Sequence, residues 1–158
     1  MIRETSEAEM KIREFKSELW LPRPLEEVFA FFSDAANLNA ITPPWLHFRM
    51  VTASPINMRV GTLIDYRLRV RGIPVSWTTR ITVWEPPHLF VDEQLRGPYR
   101  LWRHRHEFQS EGDGTQSKDL VKYAVPFDFI AHGLLVKRDV RRTFAYREEQ
   151  LRSIFLKE

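Results

Sequence analysis

Residues 130–155 read "IAHGLLVKRDVRRTFAYREEQLRSIF", and their periodicity decides the fold. Ile130, Leu134, Val136, Val140, Phe144, Leu151, Ile154 and Phe155 recur at helical spacing. Arg138, Arg141, Arg142, Glu148, Glu149 and Arg152 populate the remaining surface. The pattern predicts one helix starting near Asp128, roughly 40 Å long at ~1.5 Å per residue. Gly133 sits early in it, at a cost of about 1 kcal/mol against alanine if interior; it permits a close approach, a bend or a ligand. A helix of that length with an apolar stripe needs a sheet to cover.

The chain before it supplies one. Candidate strands are 46–53, 62–71, 74–85, 88–96, 99–110 and 115–125, separated by Pro55, Gly61, Arg71–Gly72, Pro86–Pro87, Gly97–Pro98 and "EGDGTQ". The gaps are too short for crossover helices, so the strands join as antiparallel hairpins. Upstream, 11–21 reads as a first strand. "PRPLEEVFAFFSD" follows as a helix, with Pro24 in its first turn and Glu26 and Glu27 at its positive end. Asp34 caps a second short helix, "AANLNAI", which Pro43–Pro44 end. The expectation is an α+β chain: a curved antiparallel sheet of about seven strands around a long C-terminal helix, with two short helices after strand one. One domain over 11–158 follows a flexible lead-in at 1–10.

Composition narrows the function. There is no cysteine, which removes disulfide frameworks and thiol nucleophiles. Aromatics at 13% are high, and bulky flat side chains fill cores or line apolar cavities. The net charge of +3 is spread among 21 acidic residues without a dense basic run, so no nucleic-acid partner is expected. "MIRETSEAEMKIREF" is polar, and no apolar run approaches the length of a membrane span. A cytoplasmic protein without an integral membrane segment is the expectation.

Residues 99–108, "YRLWRHRHEF", carry the most unusual chemistry. Alternation on a strand puts Trp102, His104, His106 and Phe108 on one face and Leu101, Arg103, Arg105 and Glu107 on the other. Two imidazoles framed by aromatics have three readings. They are metal ligands, which needs a third ligand such as Asp92 or a distant histidine; or acid–base groups, which needs Asp92, Tyr66 or Tyr123 as partner; or neutral polar fittings in an apolar pocket. The same parity argument faces Ile64, Tyr66, Leu68 and Val70 inward, with Val75, Trp77, Thr79, Ile81 and Val83, and Val121, Tyr123 and Val125. On 88–96 alternation alone buries Leu89, Val91 and Leu95, leaving Asp92 and Gln94 outside.

Four segments add a resemblance: "PLEEVFAFFSDAANLNAITPPWL", "VGTLIDYRL", "GPYRLWRHRHEF" and "YAVPFDFIAHGLL". From about residue 11 onward, the chain resembles a ligand-binding branch of the START-like (SRPBCC, polyketide cyclase/dehydrase-like) superfamily. That resemblance implies the helix-grip fold, and a cavity between sheet and helix that binds a small hydrophobic molecule (a lipid, isoprenoid, polyketide or aromatic). It also turns the "D.Q" of "VDEQLRGPY" toward the pocket. The ligand-binding candidates are then Tyr66, Trp77, Asp92, Gln94, Trp102, His104, His106 and Tyr123. The alternative is a cyclase/dehydrase-type enzyme in which His104 or His106, with Asp92, moves protons. No cofactor and no metal are expected. Trp45 in "TPPWLHF" is a lid or a plain aromatic plug; His47, His88 and His132 read as ordinary element-end residues. Arg67, Arg69, Arg71, Arg103 and Arg105 form either a basic partner-binding stripe or a solvated face paired with acids.

Overall fold

The computed structural model describes residues 10–126 and 130–156. Nine residues of the expected lead-in and the helix start near Asp128 lie outside them. The elements are β1 (Arg13–Leu21), α1 (Leu25–Ser33), α2 (Leu38–Ile41), β2 (Arg49–Met50), β3 (Leu63–Val70), β4 (Ile73–Glu85), β5 (Leu89–Arg96), β6 (Leu101–Glu111), β7 (Gly114–Ala124) and α3 (Ile130–Leu156). Among the described residues the seven strands form one antiparallel sheet in the order β1-β7-β6-β5-β4-β3-β2, in which every pairing but β1–β7 joins consecutive strands. The expected α+β grip of sheet around helix is the architecture found. No helix among the described residues is long and apolar enough to cross a membrane.

Three local expectations give way. The strand at 46–53 shrinks to Arg49–Met50, because Pro44–Leu46 coil into a 3-10 turn that His47 closes in the left-handed region at φ 47°. Pro24 stands just before α1 rather than inside it. On β4 a bulge at Thr82 inserts one residue between the Ile81–Asp92 and Val83–Val91 pairs. Parity therefore inverts, and Trp84 rather than Val83 turns inward, 5.3 Å from the Phe29 ring and 5.8 Å from Phe90. Asp34 behaves as read, its carboxylate accepting from the Ala36 N–H at 3.0 Å.

Two apolar clusters hold the layers together. One joins Leu19 and Leu21 of β1 to Val28, Phe29 and Phe32 of α1 and to Leu151 and Phe155 at the end of α3. The other packs Val140 and Phe144 of α3 onto Val121 and Tyr123 of β7. Both lie toward the β1–β7–β6 side, so α3 stands away from β3 and β4 and a space opens there.

At the β6–β7 turn the packing is close enough to demand glycine. A Cβ on Gly114 would fall onto the Leu21 carbonyl oxygen and the Trp20 ring, whose Nε1 donates to the Glu111 carbonyl at 3.0 Å. Gly114→Ala is expected to destabilise by about 1–3 kcal/mol, the usual range for overpacking. The check is a lower urea midpoint at unchanged m-value; an unchanged midpoint would mean β1 and β7 separate freely there.

Candidate functional site

The space between α3 and the β3–β6 half of the sheet is a cavity of about 760 Å³. Its sheet wall is built from inward-facing side chains such as Ile64, Tyr66, Trp77, Ile81 and Trp102. Its helical wall is Val136, Val140 and Phe144, and Leu38, Ile41 and Trp45 close one side. The aromatic residues brace one another: Trp77 stacks on Tyr66 at 5.9 Å and meets Trp102 edge-on at 5.5 Å. Burial raises the pKa of Tyr66, with the charge of Asp92 adding to it, so its hydroxyl stays protonated.

Tyr66, Trp77, Asp92, Trp102, His104 and His106 all line this cavity; Gln94 and Tyr123 are not among its lining residues. Gln94 spends its amide on the 97–99 turn, donating to the Tyr99 carbonyl at 2.8 Å and accepting from the Tyr99 N–H at 3.1 Å. Tyr123 is buried in the packing beneath, 6.0 Å from Tyr99 and 6.2 Å from Trp102. Trp45 is 43% exposed at the rim, edge-on to Tyr146 at 5.6 Å with the Arg142 guanidinium 5.0 Å over its ring. Of the arginines, Arg71 forks onto Asp139 at 2.9 and 3.1 Å, while Arg103 pairs with Glu93 and Arg105 with Glu107. His132 lines the cavity, whereas His88 Nδ1 contacts the Phe108 carbonyl at 3.2 Å.

The two histidines belong to a buried cluster, being 5% and 4% exposed. Register pairs Asp92 with His104 and His106 with Asp119. The side chains bond on the diagonals instead: His106 Nε2 to Asp92 Oδ2 and His104 Nε2 to Asp119 Oδ1, each at 2.6 Å. His106 Nδ1 lies 3.5 Å from Asp119 Oδ1. The imidazoles stack at 3.6 Å, and Phe90 covers the other face of His106 at 4.1 Å.

Electrostatics sort the protons. Burial, then the neighbouring charge of His104, lowers the pKa of His106 to about 4 against the pull of Asp92 and Asp119, so it is neutral at pH 7. Burial alone would raise Asp92, but the His106 hydrogen bond and the charges of His106, His104 and Arg147 bring it below the usual carboxylate value. Asp119 is likewise pulled well down, because His104 and Arg147 outweigh its desolvation. Neutral His106 therefore carries its proton on Nε2 and donates it to ionised Asp92.

Asp92, His104 and His106 offer ligand-type atoms within 4.8 Å of one another. Two donors on one zinc ion at ~2.0–2.1 Å stand about 3 Å or more apart. The 2.6 Å pairs are spaced for shared protons rather than for a shared ion.

Sequence reasoning missed Asp119 and Arg147. Asp119 shares the inward parity of Val121 and Tyr123, so an acid on that face was a visible signal. Arg147 lies three residues after Phe144 and four before Leu151, on the apolar stripe of α3. Its guanidinium sits over the rings of Phe32 at 5.4 Å and Phe144 at 5.7 Å.

A seven-stranded sheet gripping a long helix around such a cavity defines a START-like helix-grip protein. Residues 21–152 match the family described as polyketide cyclase / dehydrase and lipid transport, and the chain belongs to that family. Among solved structures it is similar to Ara h 8.0201, at 14% identity and TM-score 0.69, over 92% of this chain and 99% of that one. The ZhuI aromatase/cyclase from Streptomyces sp. R1128 gives 14% and 0.69 over 89% and 92% of the two chains. Major latex-like protein 151 from Panax ginseng gives 8% and 0.66 over 92% and 99%. At such identities these likenesses speak for the fold alone. No curated protein matches the chain.

Proposed function

We propose that this protein binds a small hydrophobic molecule (a lipid, isoprenoid, polyketide or aromatic) in the cavity between sheet and α3. The observation that carries the reading is the space itself: about 760 Å³, walled by aromatic and aliphatic side chains, with a few polar groups converging on it. Cavities of ~300–1,000 Å³ with that character are the usual form of small-molecule sites. Burying apolar ligand surface gains ~25 cal/mol per Å², and the polar groups fix orientation. The test is native mass spectrometry of freshly purified protein, with extraction and identification of any adduct. A stoichiometric organic adduct supports the reading; a bare mass that persists after incubation with lipid, isoprenoid and aromatic panels overturns it.

One contact favours a second reading, a cyclase/dehydrase-type enzyme. His106 is neutral at pH 7, held by Asp92 at 2.6 Å, and lines the cavity, so it has a ring nitrogen able to take a proton. Its pKa of about 4 makes it a weaker base than the near-neutral value general-base catalysis favours. His104, held by Asp119, is the other candidate. In that reading His106→Ala abolishes turnover of a bound candidate substrate while binding persists. Turnover that survives the substitution removes His106 from the chemistry.

A further inference from the structure

Four buried side-chain polar atoms lack a hydrogen-bond partner among the described residues: Trp77 Nε1, Thr82 Oγ1, His106 Nδ1 and Arg147 Nε. Thr82 sits in the β4 bulge; the other three belong to residues that line the one cavity. Native proteins leave few such atoms unpaired, because an unmade buried hydrogen bond is costly. His106 Nδ1 carries no proton, since the ring proton is on Nε2, so it can only accept, and the Asp119 carboxylate at 3.5 Å is no donor for it. Trp77 Nε1 and Arg147 Nε, also without a hydrogen-bond partner, only donate. Whatever completes them accepts.

Charge narrows that acceptor. Arg147 acts electrostatically on both Asp92 and Asp119, so a guest beside it is also beside two carboxylates. The two carboxylates outnumber the single guanidinium among them. No surplus positive charge waits for an anion. The guanidinium lies over the faces of Phe32 and Phe144, and no hydrogen bond spends its Nε–H.

We propose that Arg147 and Trp77 are specificity-determining residues that select an uncharged ligand bearing a hydrogen-bond acceptor, such as a carbonyl oxygen, and reject the corresponding carboxylate. This rests on the ligand-binding reading above and names the chemistry of the ligand's polar group.

The experiment uses three probes of one shape: 2-acetylnaphthalene, 2-naphthoate at pH 7 and 2-ethylnaphthalene. Their affinities are measured by equilibrium dialysis against the full chain, Arg147→Met and Trp77→Phe. The wild type is expected to bind the ketone about tenfold tighter than either the hydrocarbon or the carboxylate. In each variant the ketone-to-hydrocarbon ratio falls toward one. Trp77→Phe keeps an aromatic ring but removes the N–H together with the pyrrole half of the indole. The hydrocarbon probe reports the lost apolar surface, so the ketone-to-hydrocarbon ratio remains informative if Arg147→Met fails to fold. Tightest binding of the carboxylate, or a ketone preference that survives both substitutions, overturns the proposal. Equal binding of ketone and hydrocarbon by the wild type sinks the acceptor inference and leaves the cavity standing. Binding of none of the three removes both.

Discussion

Asp119→Ala is expected to destabilise the protein by about 1–3 kcal/mol, the cost of leaving a buried hydrogen-bonding group without its partner. Its carboxylate is 12% exposed, contacts His104 Nε2 at 2.6 Å and faces His106 Nδ1 at 3.5 Å. Truncation leaves His104, stacked on His106 and walled by Phe144, without its carboxylate partner. Arg147 also loses one of the two carboxylates that balance it. Native domains hold only ~5–15 kcal/mol in total, so a large share of the stability goes. Asp119→Asn keeps the shape and one acceptor and should cost less. Urea denaturation of both variants and of Asp119→Ala/His104→Ala gives the coupling: the double variant loses less than the sum of the singles. A loss below about 1 kcal/mol for Asp119→Ala would place the pair among ordinary surface ion pairs and dissolve the cluster as an organising feature.

Asp119 also shows where sequence reasoning stops. Periodicity carries element type: the α3 stripe, the turn residues between strands and the Asp34 cap all express short-range physics, and the architecture follows from them. The inward faces of β3 and β6 were equally legible, which is why Tyr66, Trp102, His104 and His106 stand on the cavity wall. Partnership is different. Asp92 and Asp119 reach the histidines along diagonals set by registers between three strands, and no single strand's pattern encodes a register. On β5 alternation alone exposed Asp92, whereas the family resemblance turned it toward the pocket, and it stands on the cavity wall. The same resemblance carried Gln94 too far, since a side chain next to a tight turn can satisfy the turn's backbone instead. The Thr82 bulge flipped Val83 and Trp84 without any glycine or proline to announce it.

Stability should also fall by roughly 3 kcal/mol as pH drops from about 6.5 to about 4, the span between the ordinary and native pKa of His106. Within that window the unfolded chain binds a proton at His106 that the native protein refuses, so acid favours unfolding. The contribution is complete above the ordinary value and gone below the native one. Asp92 and Asp119 act lower still: their native pKa values lie beneath the ordinary 3.8, so the stability they lend above it drains away as pH falls further. Acid unfolding therefore proceeds through two successive windows, histidine first and carboxylates second. Urea midpoints at pH 7, 5.5 and 4.5 read the first window, and the NMR titration of the His106 ring protons reads its cause directly. The opposing arrangement is a protonated His106 held between two carboxylates. It would titrate above 6.5, and stability would then rise as pH fell from neutrality. The sign of the slope thus decides whether the cavity presents a neutral base to its guest or a buried cation.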